Sequence, residues 1–494
     1  MATVKRTSQN GESVTDTEDA TPIVTPAPLS DRRRWLALAV LCTAFFMGVL
    51  DSTSVYSALP SIAGDLDFSA AGVQWVITAY GVTVGGLLLL GGRVADLMGR
   101  RKVFMAAVTL FAAASLVCGA AWSGEVLIAG RAAQGIGAAF MTPAGLSILM
   151  TLFPDGPERN KALGIWGGLG GVGATAGLLL GGVLTDWLGW AWTFFINVPV
   201  CVAVLGASLV LLPESRRTGS RNFDLAGAVT ITTALVLLLF SLFTIADVGW
   251  RASNAIGYVV IAIVLLVLFV AIERRSAAPL IPPRVLRSGA LVAGNGVVFV
   301  SGIAVDGLLI VVTMYAQDVL GYSAVEFGLT MAVMTVLSVV GVLVGQHVVT
   351  RIGFGPVAVG GMVLIGVGCL LLTRISAAGG FDDLLLGLLV FGPGMGAAFV
   401  AAQIAALSGV APQDSGLASG IEETSFAIGS TFGVALVSAF AVSRTERLLD
   451  AGADAMHARV EGFQFAIGMT AGVALLGVLA ALTLLRRPSG VRRA

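Results

Sequence analysis

Five ionisable side chains stand where a chain this apolar has no ordinary use for charge. Asp51, Arg131, Asp306, Glu422 and Glu423 lie within, or in the first turns of, long hydrophobic runs. A charge at the centre of a bilayer costs at least ~2.5–3.5 kcal/mol on insertion scales, so each one asks for a reason. The chemistry open to such groups is proton carriage: burial favours the neutral acid, and an approaching guanidinium favours the carboxylate. Asp51 is the main candidate acceptor and Arg131 the group that tunes it, with a static ion pair as the structural alternative. Gln134 shares the Arg131 face at i+3. Asp306 could be a second proton site, a counter-charge for a cation or a structural group facing a lumen. Glu422 and Glu423 point about 100° apart on a helix, so at most one faces a cavity squarely. Both also sit where a helix dipole favours carboxylates. Trp75, Tyr80, Met141, Asn295 and Gln403 could line a pocket or serve as ordinary helix packing.

Other patterns carry no chemistry. A GxGxxG string at Gly168, Gly170 and Gly173 lies inside an uncharged run from Ala162 to Thr185 with no preceding strand, so a dinucleotide site, which needs a strand–turn–helix context, is rejected. Its glycines are expected to serve close helix approach. Four cysteines in separate apolar runs read as small buried hydrophobes, and two histidines build no metal site. No cofactor signature is present, and zero net charge gives no case for a nucleic-acid partner.

These residues need elements to hold them. The 494 residues are 56% hydrophobic and 12% charged, about half the charge of a soluble domain. An all-α polytopic membrane protein follows. A bilayer core needs roughly 20 apolar residues as helix. Fourteen segments meet that length, near 35–58, 72–91, 103–122, 125–150, 163–187, 193–213, 225–246, 253–272, 290–316, 326–348, 356–374, 384–408, 418–441 and 463–485. Residues 1–31 are polar, lack the apolar core of a signal peptide, and read as a disordered tail. Taking Pro60 and Glu125 as helix ends puts Asp51 about 13 Å and Arg131 about 9 Å deep, in one layer of a cavity.

Of the 29 Lys and Arg residues, 23 fall in loops and tails on the side of the two termini, five on the other and one, Arg131, within a segment. The positive-inside rule then places both termini in the cytoplasm of a cell-membrane protein. Three of the five lie between segments 13 and 14 among acidic residues, where a short external helix is expected.

After segment 2 the sequence reads GRVADLMGRRK, from Gly92 to Lys102, a glycine turn placing Asp96 beside a cationic cluster that includes Arg100 and Arg101. This resembles the signature loop of the major facilitator superfamily. A degenerate echo, GQHVVTRIG from Gly345 to Gly353, follows segment 10. The two copies are eight segments apart, which two six-helix halves (32–213 and 290–485) with two extra helices between them (214–289) would explain. That arrangement resembles the fourteen-helix drug:proton antiporter branch. So do Leu50–Thr53 with Ala58–Pro60, Trp75–Val76, Ala79–Tyr80, Arg131 with Gln134, Gly135 and Gly137, WTFFINVP (192–199), and Tyr315, Gln317, Gly321 and Tyr322. In segment 5, Gly173, Gly177, Gly181 and Gly182 keep a glycine packing face, although Leu178 replaces the proline of the branch's GPxxGG pattern.

The resemblance implies a monomeric secondary transporter that exports small organic molecules, among them drugs, antibiotics or secondary metabolites, in exchange for protons. It implies that Gly92, Asp96, Gly99, Arg100 and Arg101 form a conformational latch, Asp96 docking on the start of segment 13 near Ser415. An uptake symporter on the same fold is the first alternative, and a membrane sensor the second.

Overall fold

Hydrocarbon offers backbone groups no partners, so a spanning chain must satisfy them within its own segments. In the computed structural model this is done by helices, with no strand among the described residues, which are 30–69, 72–153, 157–214, 225–248, 253–276, 288–407 and 415–485. The expected tail, the loop around 215–224 and residues 486–494 lie outside them.

The first half comprises α1 (Asp31–Asp65), α2 (Trp75–Met98), α3 (Arg100–Gly119), α4 (Gly124–Leu152), α5 (Pro157–Leu188) and, after a single turn at Trp192–Phe195, α6 (Asn197–Leu211). Next come α7 (Leu225–Val248) and α8 (Ser253–Arg275). The second half comprises α9 (Gly289–Met314), α10 (Ala324–Ile352), α11 (Phe354–Leu372), α12 (Phe381–Leu407), α13 (Ser415–Asp450) and α14 (Ala455–Leu485). Eleven helices are long and apolar enough to cross a membrane, and the remaining three coincide with shorter apolar stretches: Gly72–Leu88, which begins in the turn before α2, Val229–Leu238 and Gly257–Glu273. The fourteen expected segments are thus all helical.

Three details differ from expectation. Pro60 lies inside α1, which continues to Asp65, so Asp51 is about 21 Å from that end rather than about 13 Å. Segment 6 breaks at Ile196, between the short turn and α6. The expected external helix between segments 13 and 14 does not form. Instead α13 runs on to Asp450, Gly452 turns with φ 84°, and α14 starts at Ala455. Extending two existing helices avoids the cost of nucleating a third, and Arg444 pairs with Glu461 at 3.0 Å between the extensions.

Packing repeats with the expected offset. α1 packs on α5, α2 and α3 pack on α4, and α1 and α3 pack on α6. Eight helices later, α9 packs on α13, α10 and α11 on α12, and α9 and α11 on α14. The halves meet along α2–α13 and α5–α10, which exchange under the same offset. Gly99 (φ 108°) and Gly353 (φ 84°), the turn glycines of the signature loop and its echo, occupy matching places before α3 and α11. The extra pair is peripheral: α7 lies on α2 and α13, and α8 lies on α7. Trp75 of α2 meets Phe240 of α7 at 5.6 Å, and Phe240 meets Tyr258 of α8 at 5.5 Å.

With fourteen helices alternating in direction, α1 begins and α14 ends on one side, here the terminal face; the other is the distal face. One apolar cluster joins the second half to the distal part of the first, through Val55, Leu59, Ile62, Leu178 and Phe194. A separate cluster fills the terminal part of the first half. Outward faces such as Val260, Ile263, Val264 and Val267 on α8 are exposed hydrocarbon, an area a water-soluble surface would not carry.

Candidate functional site

Asp51 and Arg131 are together and sealed. Asp51 is 0% and Arg131 1% exposed, and Arg131 Nη1 lies 2.6 Å from Asp51 Oδ2. Gln134 Nε2 donates to Asp51 Oδ1 at 3.1 Å and to Ser115 Oγ at 2.8 Å. Asn197 Nδ2 donates to the same Oδ1 at 2.7 Å. Arg131 Nε donates to the Val76 carbonyl at 2.9 Å, and Nη1 also reaches Gln134 Oε1 at 2.9 Å. The guanidinium lies 4.4 Å from the centre of the Tyr80 ring and 5.8 Å from that of Phe194, where ring quadrupoles attract a cation. All described bonds to Asp51 come from donors, the pattern a carboxylate takes.

The local sequence explains this placement. Ser115, Arg131 and Gln134 come from α3 and α4, which pack closely because a Cβ at Gly137 would stand 3.0 Å from the backbone of Phe111. Gln134 follows Arg131 by one helical turn, so both face Asp51. The break at Ile196 starts α6 at the level of the pair, and Asn197 is its first residue. Ser115 and Asn197 were not singled out from sequence. A carboxamide alone in an otherwise apolar segment was the available signal for Asn197, while Ser115 gave none. The expected cavity-lining position of Asp51 and Arg131 is not what the structure shows: both are enclosed within the first half.

The segment 5 glycines divide between two partners. Gly173 meets Val49, Gly177 meets Thr53 and the Leu50 carbonyl, and Gly181 meets Ser54, all on α1. Gly182 faces Ala324 and Val325 at the start of α10. Of the GxGxxG string, only Gly173 makes a close approach; a Cβ at Gly168 or Gly170 meets nothing within 4 Å.

In the signature loop, Arg100 donates to the Ser147 carbonyl at 3.1 Å and to Thr151 Oγ1. Arg101 donates to the Leu209 carbonyl at 2.7 Å. These bonds fix the loop to α4 and α6. A Cβ at Gly92 would be 3.5 Å from Pro143, and one at Gly99 would be 2.7 Å from Glu214. The side chains of Asp96 and Ser415 lie outside the described residues.

In the second half, Asp306 accepts from Ser430 Oγ and is hydrogen-bonded to Tyr56 across the halves. Asn295 accepts from Ser425 at 3.0 Å and donates to the Leu291 carbonyl at 2.8 Å. Glu422 is 3% exposed, with Gln403 of α12 as its polar neighbour. Glu423 is within electrostatic reach of Tyr80 of the first half. Met141 is buried in the first-half core, and Trp75 lies against α7.

Two bundles related by an eight-helix offset, with a buried acid–base pair in the first, define a multi-pass membrane transporter. The family model described as Major Facilitator Superfamily matches residues 41–231 and 294–494, and the gap between them holds most of α7 and all of α8. The chain belongs to that superfamily. It is 37% identical over 438 residues to a puromycin resistance protein of Streptomyces alboniger, covering 87% of this chain and 86% of that one. It is 35% identical over 408 residues to a cephamycin export protein of Amycolatopsis lactamdurans, covering 81% and 84%. Its fold is similar to that of a bacterial homolog of the human lysosomal transporter Spinster (TM-score 0.66, 16% identity, covering 93% of this chain and 99% of that one).

Proposed function

We propose that the protein exports small amphipathic organic molecules across the cell membrane in exchange for protons, with Asp51 as the proton carrier. The observation that supports this most is the sealed Asp51–Arg131 pair. An ion pair without water costs several kcal/mol per charge in desolvation and is a costly way to hold helices together. The relatives named as resistance and export proteins support the direction and the substrate class proposed here.

The pair lies wholly in the first half, so rocking two rigid halves would leave it untouched. The link is α1. It carries Asp51, packs on α5 of its own half, and touches α9 and α10 of the other. Six residues beyond Asp51, the Ser57 carbonyl accepts from Gln317 Nε2 at 3.1 Å across the halves. Separation of the halves at the distal face pulls on α1 there, draws Asp51 from Arg131 and exposes it to protons. With the termini in the cytoplasm, as the 23-to-5 distribution of Lys and Arg favours, the distal face is external. Asp96 then latches the terminal face when that face closes. Tyr80, Gln403, Asn295 and Glu422 line the substrate path, where aromatic and few polar groups suit poorly defined cargo.

The experiment is Asp51→Asn in everted vesicles. Proton-coupled dye transport should vanish at normal expression, and its retention would remove Asp51 from the mechanism.

A further inference from the structure

The start of a helix leaves four backbone N–H groups without partners inside the helix. At α10 all four are satisfied, by two different halves of the protein. The Ser323 amide donates to Glu326 Oε2 at 2.9 Å and the Glu326 amide to Ser323 Oγ at 3.2 Å, a capping box within the second half. The other two amides, of Ala324 and Val325, donate to Asp186 Oδ1 and Oδ2, each at 3.1 Å. Asp186 belongs to α5 of the first half.

We propose that Asp186 is a clasp that holds the distal face shut. Its carboxylate completes the cap of a helix in the opposite half, so the cap is whole only while the halves touch there. Three further features place the clasp where closure is decided. Gly182, one turn earlier on the same face of α5, faces the backbone of Ala324 and Val325, and Gly328 on α10 faces the Leu178 carbonyl, where a Cβ would stand at 2.6 Å. The apolar cluster that runs unbroken between the halves is on this face. A charge at a helix start is also favoured by the dipole of α10. Opening the distal face therefore uncaps two amides and frees one carboxylate, which water must then satisfy. The clasp tilts the balance between the two faces without touching proton or cargo.

The inference needs the transport reading only for the existence of a distal-open state, and its test needs neither substrate nor gradient. Full-length protein would be spin-labelled at Trp122→Cys and Ala377→Cys, exposed loop positions on the distal face of opposite halves, the four native cysteines being buried. Pulsed dipolar distances in nanodiscs report the closed and open populations. Asp186→Ala should raise the ratio of open to closed roughly two- to thirtyfold, the range a lost helix cap gives. Ser323→Ala removes a cap bond confined to the second half and should leave the ratio unchanged. An unchanged distribution in Asp186→Ala overturns the clasp. So does an equal shift in Ser323→Ala, which would mean that fraying of α10 moves the labels.

Discussion

Asn197 Nδ2 lies 2.7 Å from Asp51 Oδ1, while the Asn197 Oδ1 has no partner in bonding distance. The residue is therefore placed as a donor to the acid. Asn197→Leu keeps the bulk and removes the donor. Hydrogen bonds to charged groups contribute about 1.5–3 kcal/mol, so proton-coupled export should fall about tenfold or more at matched expression, measured as dye efflux from energised cells. Export at the parental rate would show that Asp51 does not depend on α6.

Breaking the Asp51–Arg131 pair from one side leaves a buried charge alone. Arg131→Ala should destabilise the fold by about 3–5 kcal/mol, read as a lower midpoint of thermal unfolding in detergent. The double variant Asp51→Asn/Arg131→Gln removes both charges and should recover most of that loss while remaining inactive. Recovery of transport along with stability would assign the pair a structural role alone.

Glycines on one helix should differ in sensitivity by position. A Cβ at Gly181 would stand 2.6 Å from the Ser54 carbonyl and 2.7 Å from its Cα, whereas Gly168 has nothing within 4 Å. Gly181→Ala should reduce folded protein by severalfold, and Gly168→Ala should be silent or slightly stabilising, since Ala favours helix by about 1 kcal/mol over Gly. Size-exclusion yield of the two variants decides it.

Sequence makes the helices legible because each must be long, apolar and nearly free of charge, and the offset of the two glycine-turn loops gives the arrangement of halves. The association of Asp51 with Arg131 and Gln134 was legible too, since a charge in lipid needs a partner and i+3 spacing fixes a face. Ser115 is not, because a hydroxyl in a membrane helix is common; Asn197 stands out only as a carboxamide within the WTFFINVP string, and only packing of α3 and α6 against α1 brings the two to the carboxylate. Asp186 was invisible for another reason. An acid near a helix end reads as an ordinary solvated residue until the opposite half supplies the amides it caps. The depth of Asp51 is the other difference: Pro60 reads as a stop in the sequence, whereas α1 accommodates it and continues to Asp65.

Glu422 is buried, with Gln403 of α12 as its polar neighbour, and a buried carboxyl with so little polar company is suited to meet a cationic cargo. Glu422→Gln should leave thermal stability equal or higher. It should lower export of a lipophilic cation such as ethidium about fivefold or more, a ratio worth roughly 1 kcal/mol, and spare a neutral substrate. Equal loss for both would place Glu422 in the coupling machinery instead of the cargo path.

The central claim is that a proton taken up by Asp51 drives cargo movement. Purified protein in liposomes, loaded with a fluorescent substrate and given an imposed pH difference, measures it directly. Substrate should flow against the proton flux, stop when the gradient is collapsed, and stop in Asp51→Asn. Flow that ignores the pH difference, or persists in that variant, would contradict the account.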